Sequence, residues 1–421
     1  MTRYRPKRSK VLVCFGTRPE IIKLAPVIDE LRRSATLAPL TVTTGQHRQM
    51  LDQMLEVFGI FPDLDFGLMR PRQDLAELTG RAIMALGAAI AAHKPAAVIV
   101  QGDTTTAMCA ALAGFYAGVP VAHVEAGLRT NDPRRPFPEE INRRLVGQLA
   151  HWHFCPTRTS AENLLLAGTA ASSVQVTGNT VIDALLATLN RPLPAELRHA
   201  LPPKGARHRI LVTLHRRETQ GESQRRLCEM LAQIARRPDV EVLFPVHMSP
   251  AVRASVRAEL EGRDGVHLME PLDYRTFVHA LRASDLVITD SGGIQEEAPA
   301  LGLPVLVMRD TTERPEGVKA GCAVLCGTDP DGVKAQVVRL LEDPVAYQAM
   351  VNAPNPYGDG TAAGQIVGRL ERDLVPATRA VAPAISLDGP TPPNGIPVPL
   401  AGVQGIRWTE ATSVQPLPTA M

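Results

Sequence analysis

No C-x-x-C pair occurs among the six cysteines (Cys14, Cys109, Cys155, Cys228, Cys322 and Cys326), and no set of His and Cys has zinc-site spacing. The nearest two, Cys322 and Cys326, flank the apolar run AVL, which reads as a strand, so buried reduced thiols are expected there. A calcium-loop pattern is also missing. Net charge is almost absent, with 45 Lys and Arg against 43 Asp and Glu, a formal +2. That balance gives no general field for nucleic acid or a membrane surface, so an anionic ligand must be met by locally placed charge. The longest apolar stretch, AIMALGAAIAA from Ala82, is shorter than the ~18 residues that suggest a membrane span. The basic start, MTRYRPKRSK, leads into a short strand rather than a signal-peptide core. These absences predict a soluble, cytoplasmic protein. The chain also lacks G-x-G-x-x-G, which argues against a nicotinamide dehydrogenase, and G-x-S-x-G, which argues against a serine hydrolase.

What is present is a regular alternation. At 421 residues the chain is too long for one core, and two or three domains are expected. KVLVCFG, PLTVTTG, AAVIVQG, VPVAHVE, HWHFCP and SVQVTG read as strands in the first half; RILVTLH, VEVLFPVH, GVHLME, DLVITD, LPVLVM and AVLCG do so in the second. Helix-length amphipathic segments lie between them. Such alternation implies parallel sheets covered on both faces. The predicted fold class is α/β, with two doubly wound Rossmann-like domains facing across a cleft. The predicted organisation is a basic leader at 1–10, a first domain at 11–183 carrying acidic residues, and a second at 184–360 suited to a nucleotide. A segment at 361–374 follows, and then a Pro-rich tail at 375–421 that reads as disordered.

Ligands of such sheets bind beyond the carboxyl ends of the strands, where the unusual strings of this sequence fall. In FGTRPEIIK, Pro19 suits a first helical turn, and Arg18 and Lys23 are placed to meet phosphate. In DSGGIQEEAPALG, Ser291 can cap a helix, Gly292 and Gly293 leave backbone N–H groups open to a diphosphate, and Glu297 can accept from ribose hydroxyls. Arg314 offers a second phosphate contact. Asp103, Glu125 and Glu139 stand at three neighbouring junctions, where crowded carboxylates can be driven apart into acid and base roles. Each also has a plainer reading: Asp103 as a helix cap, and Glu139 and Glu140 as partners for Arg143 and Arg144 four residues on. His215 ends the first strand of the second half, with Arg216 beside it.

Taken together, FGTRPEIIKLAP, TGQHRQMLDQML, GDTTTAM, HVEAGLRT, PEEINRRL, VTGNTVIDALL, HRRE, PVHMSP, DSGGIQEEAPALGLPVLVMRDTTERPEG and NPYGDG closely resemble the bacterial non-hydrolysing UDP-N-acetylglucosamine 2-epimerases, from about Val11 to Leu374. The resemblance implies a glycosyltransferase-B-like fold whose last helix returns to the first domain. It implies interconversion of UDP-GlcNAc and UDP-ManNAc without metal or other cofactor, and a homodimer. Asp103, Glu125, Glu139 and His215 would be catalytic; Arg18, Lys23, Phe277, Ser291, Gly292, Gly293, Glu297 and Arg314 would hold the substrate. Gln46, Gln49, Arg72, Arg216 and His247 would bind a second, activating UDP-GlcNAc. A hydrolysing epimerase, a UDP-sugar glycosyltransferase and a nucleotide-sugar sensor remain as alternatives; the acidic trio disfavours the last two.

Overall fold

The computed structural model describes residues 8–45, 48–70, 73–214, 222–246 and 250–375. Strands β1 (Ser9–Phe15), β2 (Leu37–Thr43), β3 (Leu64–Asp65), β4 (Ala97–Gln101), β5 (Val121–Val124), β6 (Trp152–Cys155) and β7 (Val174–Val176) form a sheet in the order β3-β2-β1-β4-β5-β6-β7. A second sheet, in the order β10-β9-β8-β11-β12-β13, contains β8 (His208–Thr213), β9 (Val240–Pro245), β10 (Val266–Met269), β11 (Leu286–Thr289), β12 (Val305–Val307) and β13 (Ala323–Leu325). All pairings in both sheets are parallel. Every strand expected from the sequence is present. β3 was not expected, because two edge residues make no readable run.

The period of two along a strand explains both layers of the first domain. Val11, Val13 and Phe15 pack with Ile21, Leu24 and Ile28 on one face of the sheet. Leu12 and Cys14, between them in sequence, pack with Ala82, Leu86 and Ala110 on the other. In the second sheet Ile210 and Val212 face one cluster and Leu211 the other. With both faces covered, the strands become continuous apolar runs, which is how they read in the sequence.

The apolar stretch from Ala82 lies in a longer helix, Leu75–His93, which coincides with the amphipathic segment DLAELTGRAIMALGAAIAAH. Leu75–His93 has 19 residues and a mean hydropathy of 1.4 in its most apolar window, so by length and composition it could cross a membrane. In this fold its Leu78, Ala82, Leu86 and Ile90 are buried, the last three in the core beneath β1, β2 and β4.

The chain joins the two sheets twice, and the two crossings touch. Gly178, just after β7, has φ +86°, and a Cβ there would lie 3.0 Å from the Cα of Gly358. Both conditions call for glycine. The backbone N–H of Asn179 donates to the Tyr357 carbonyl at 2.7 Å. From there the helix Ala362–Leu374 packs Ala363, Ile366, Val367 and Leu370 into the core of the first sheet.

Candidate active site

Each sheet reverses its strand order once, between β1 and β4 in the first and between β8 and β11 in the second. The crevice at such a point is where doubly wound sheets bind ligands. The turns after β1, β4, β5 and β11 carry most of the polar side chains buried in this part of the molecule.

After β1 the chain enters the helix Arg18–Arg33 through Thr17, with Pro19 in its first turn. Glu20 is fully buried and accepts from the N–H groups of Gly16 (3.0 Å) and Thr17 (2.8 Å), and from the hydroxyl of Thr104 (2.7 Å). Burial lifts its pKa to about 7 despite these donors. Glu20 therefore ties the turn after β1 to the turn after β4. Arg18, two residues earlier, is exposed.

Thr104, rather than Asp103, caps the helix Thr105–Tyr116 by accepting from Ala107 N–H. That leaves the Asp103 carboxylate available for other contacts. Arg143 donates to one of its oxygens through Nε at 2.9 Å and also through Nη2, while Asn142 donates to its backbone carbonyl at 3.0 Å. Burial raises the Asp103 pKa above the ordinary value; Arg143 opposes this and the nearby Glu125 adds to it.

Of the two ion pairs expected at Glu139 and Glu140, the Glu140–Arg144 pair forms, on a buried carboxylate rather than at the surface, and the Glu139–Arg143 pair does not. Glu140 is fully buried and takes both arginines, Arg144 at 2.9 Å and Arg143 at 3.3 Å, as well as the Thr130 N–H at 3.0 Å. Glu139, the first residue of the helix Glu139–Leu149, is half-buried with no hydrogen bond or ion pair among the described residues. One residue of helical rotation separates the two, turning Glu140 inward and leaving Glu139 half-buried.

Glu125 lies at the centre of a buried polar cluster. It follows β5 with φ +62°, a left-handed conformation rarely adopted by a residue with a side chain and held only where its surroundings demand it. Lys23 and Gln101 both donate to its carboxylate, and Asn179 Nδ2 donates at 3.1 Å. Burial opposes its charge, but Lys23, Arg314 and Asn179 outweigh burial and hold its pKa below the usual value.

The same Asn179 Nδ2 donates at 2.9 Å to Glu296, which belongs to the second domain. Glu296 also accepts from Arg314 Nε at 2.7 Å. Burial dominates at Glu296 and its pKa is raised, in spite of Arg314 and Lys23. Lys23, Glu125, Asn179, Glu296 and Arg314 thus make one buried chain, two cations against two carboxylates, across the domain junction.

Arg314 also lies over the glycine loop: a Cβ on Gly292 would come within 2.6 Å of its Nη1. Ser291 precedes the helix Gly292–Glu297 but makes no side-chain cap, and the helix has only 6 residues. Its dipole is small, so positive charge at this loop comes chiefly from Arg314 and Lys23. Glu297 is buried, accepts from the Tyr274 hydroxyl at 3.0 Å, and is lifted by burial to about 7, with Lys23 and Arg18 among the groups that lower it. Phe277, from the helix Tyr274–Arg282, packs against the core cluster containing Ile294.

The matching family model is that of UDP-N-acetylglucosamine 2-epimerase, over residues 29–371. The chain belongs to that family. The epimerase is 48% identical to the UDP-N-acetylglucosamine 2-epimerase of Escherichia coli K12 over 373 residues, covering 87% of this chain and 99% of that one. The Yersinia pestis enzyme is also 48% identical over 373 residues, with the same two shares. The crystal structure of the Neisseria meningitidis UDP-GlcNAc 2-epimerase bound to UDP-GlcNAc matches with a TM-score of 0.77 at 44% identity, over 86% of this chain and 99% of that one. The fold of the epimerase is the two-domain α/β, glycosyltransferase-B-like arrangement.

Of the site residues expected from sequence, the structure brings together Lys23, Glu125 and Arg314, with Asp103 and Glu297 near enough to feel their charges. It does not bring Glu139 into contact with them. His215, Gln46, Arg72, Arg216 and His247 lie outside the described residues, as does the side chain of Gln49. Sequence reading gave no role to Glu20, Gln101, Asn179, Tyr274 or Glu296, and placed Arg143 on the surface. Glu296 was hidden by its neighbour in QEE. Asn179 stood in VTGNTV, where a polar residue before a helix reads only as a cap.

Proposed function

We propose that this epimerase is of the non-hydrolysing kind and interconverts UDP-GlcNAc and UDP-ManNAc, acting as a homodimer. The observation that carries the reading is the buried charge chain from Lys23 and Glu125 in the first domain to Glu296 and Arg314 in the second. It sets sugar-facing carboxylates beside the loop suited to a diphosphate.

The chemistry accounts for both halves. The hydrogen on sugar carbon 2 is not adjacent to a carbonyl, so direct abstraction is very unfavourable. Loss of UDP from carbon 1 makes abstraction feasible: the C1–O bond breaks with its electron pair leaving on UDP, the C2–H proton passes to a base, and 2-acetamidoglucal forms. The reverse steps return the proton to the other face and re-form the C1–O bond. Arg314, Lys23, Arg18 and the N–H groups at Ser291, Gly292 and Gly293 stabilise the leaving diphosphate, with His215 assigned beside it. Glu297 takes the ribose hydroxyls, and Phe277 lies against the nucleotide. Asp103 and Glu139 are the leading proton-transfer pair, one for each face, and Glu125 supports the sugar.

Products decide between this reading and hydrolysis. With UDP-GlcNAc supplied, proton NMR should show UDP-ManNAc accumulating while total nucleotide sugar stays constant. Stoichiometric free ManNAc and UDP would instead identify a hydrolysing epimerase.

A further inference from the structure

Asn179 occupies an unusual position: one amide group serves a helix cap and two carboxylates from different domains. Its Oδ1 accepts from Val181 N–H at 3.1 Å, capping the helix Thr180–Leu189. That bond fixes which way the amide points, because the flipped group would set an N–H against an N–H and an oxygen against two carboxylates. Nδ2 has two hydrogens, and each has a separate acceptor, Glu125 at 3.1 Å and Glu296 at 2.9 Å. The backbone cannot shift to relax this, since Asn179 N–H is bonded to Tyr357 and Gly178 is pressed against Gly358. Asn179 itself is buried.

We infer that Asn179 is a positioning residue for the epimerisation: it holds Glu125 aligned with the Glu296–Arg314 pair of the nucleotide loop. This rests on the proposed function of the same site. The charged groups facing Glu125 are Lys23, Arg314, Glu296 and Asp103. Among these cations and carboxylates, Asn179 is the neutral donor that joins the two acids without adding charge. Serine and aspartate would each cap the helix about as well. Neither could donate to both carboxylates, and aspartate would add a third negative group. The site therefore requires more of this position than the helix does.

The test compares the wild-type protein with Asn179→Ser and Asn179→Asp. Both variants keep the cap and should fold; Asn179→Ser should melt close to wild type, whereas Asn179→Asp, which sets a third negative group beside two buried carboxylates, should melt lower. UDP affinity, measured calorimetrically, should change less than about threefold. Turnover should fall roughly 10- to 100-fold, the range for losing hydrogen bonds to a charged group. In Asn179→Ser the acidic limb of the rate profile should move to higher pH. A donor favours the ionised form of Glu125, so its removal raises the pH at which that form is lost. A wild-type enzyme that epimerises, beside an Asn179→Ser variant with unchanged turnover and unchanged acidic limb, would overturn the inference alone. Equal losses of stability, UDP affinity and turnover would reduce Asn179 to a fold residue and overturn it as well. A wild-type enzyme that does not epimerise would instead overturn the proposed function.

Discussion

Arg143 sets two guanidinium nitrogens on a single oxygen of Asp103, joining the helix Glu139–Leu149 to the turn after β4. The pair links the two junctions expected to supply the proton-transferring acids, and its cation opposes the effect of burial on one of them. Asp103→Asn should lower turnover by at least the ~100-fold typical of losing a general acid or base. UDP binding should persist, since Asp103 is not among the proposed nucleotide contacts, most of which lie in the other domain. Arg143→Met should act differently. It removes the cation that opposes burial, so the Asp103 pKa rises and the limb of the rate profile belonging to Asp103 moves to higher pH. A profile that stays in place in Arg143→Met would detach Asp103 from the chemistry.

Glu139 and Glu140 are adjacent in sequence and should separate cleanly by experiment. Glu140 has two arginines and a backbone N–H on a fully buried carboxylate. Breaking such a set by Glu140→Gln should lower the melting temperature by several degrees. Glu139 has no partner among the described residues, so Glu139→Gln should melt like wild type yet lose at least ~100-fold in turnover. Thermal melts and steady-state rates on both variants check this. Near-normal turnover in Glu139→Gln would remove it from the acid/base pair.

Glu297, proposed to take the ribose hydroxyls, should make UDP affinity depend on pH. Burial raises its folded pKa from 4.5 to about 7. A raised acid adds stability that is fully present below the unfolded value and lost as pH rises through the folded one. Ribose hydroxyls donate to the ionised form, so UDP should bind more tightly as pH rises through about 7, and Glu297→Gln should bind weakly at every pH. Calorimetric titrations with UDP across that window test the assignment; a wild-type affinity that is flat or falls with pH would contradict it.

A homodimer, implied by the resemblance, has a candidate face. The neighbouring helices Leu75–His93, Thr105–Tyr116 and Glu139–Leu149 expose Met84, Phe115, Tyr116, Ile141 and Leu145. Grouped exposed apolar side chains mark interaction surfaces more often than isolated ones do. Light scattering after size exclusion should give twice the 45.4 kDa chain mass, and Tyr116→Arg with Leu145→Arg should give the monomer. A wild-type monomer, or a dimer unaffected by both changes, would place the contact elsewhere or nowhere.

How much of this was legible in advance depends on the range of the interaction concerned. β1, β4 and β8 could be read because apolar runs between turns report local burial on two faces. Lys23, Glu125, Gly292 and Arg314 could be named because topology carries the loops after the strands, and the helix starts that follow them, to one side of a sheet. Contacts between distant segments could not be read. Nothing in VTGNTV announces that Asn179 meets Glu125 and Glu296, which are 54 and 117 residues away. Helical rotation also defeated spacing: counting four residues paired Glu139 with Arg143, whereas Arg143 was drawn to Asp103, 40 residues earlier.

The central claim is that the C2–H bond breaks by way of UDP elimination and re-forms while the nucleotide sugar is conserved. Incubating the full-length enzyme with UDP-GlcNAc in heavy water, followed by mass spectrometry and proton NMR, tests it most directly. The account predicts one deuterium at carbon 2 in both UDP-GlcNAc and UDP-ManNAc, with no net loss of nucleotide sugar. UDP-ManNAc formed without solvent deuterium, or deuterium appearing only in free ManNAc beside released UDP, would contradict it.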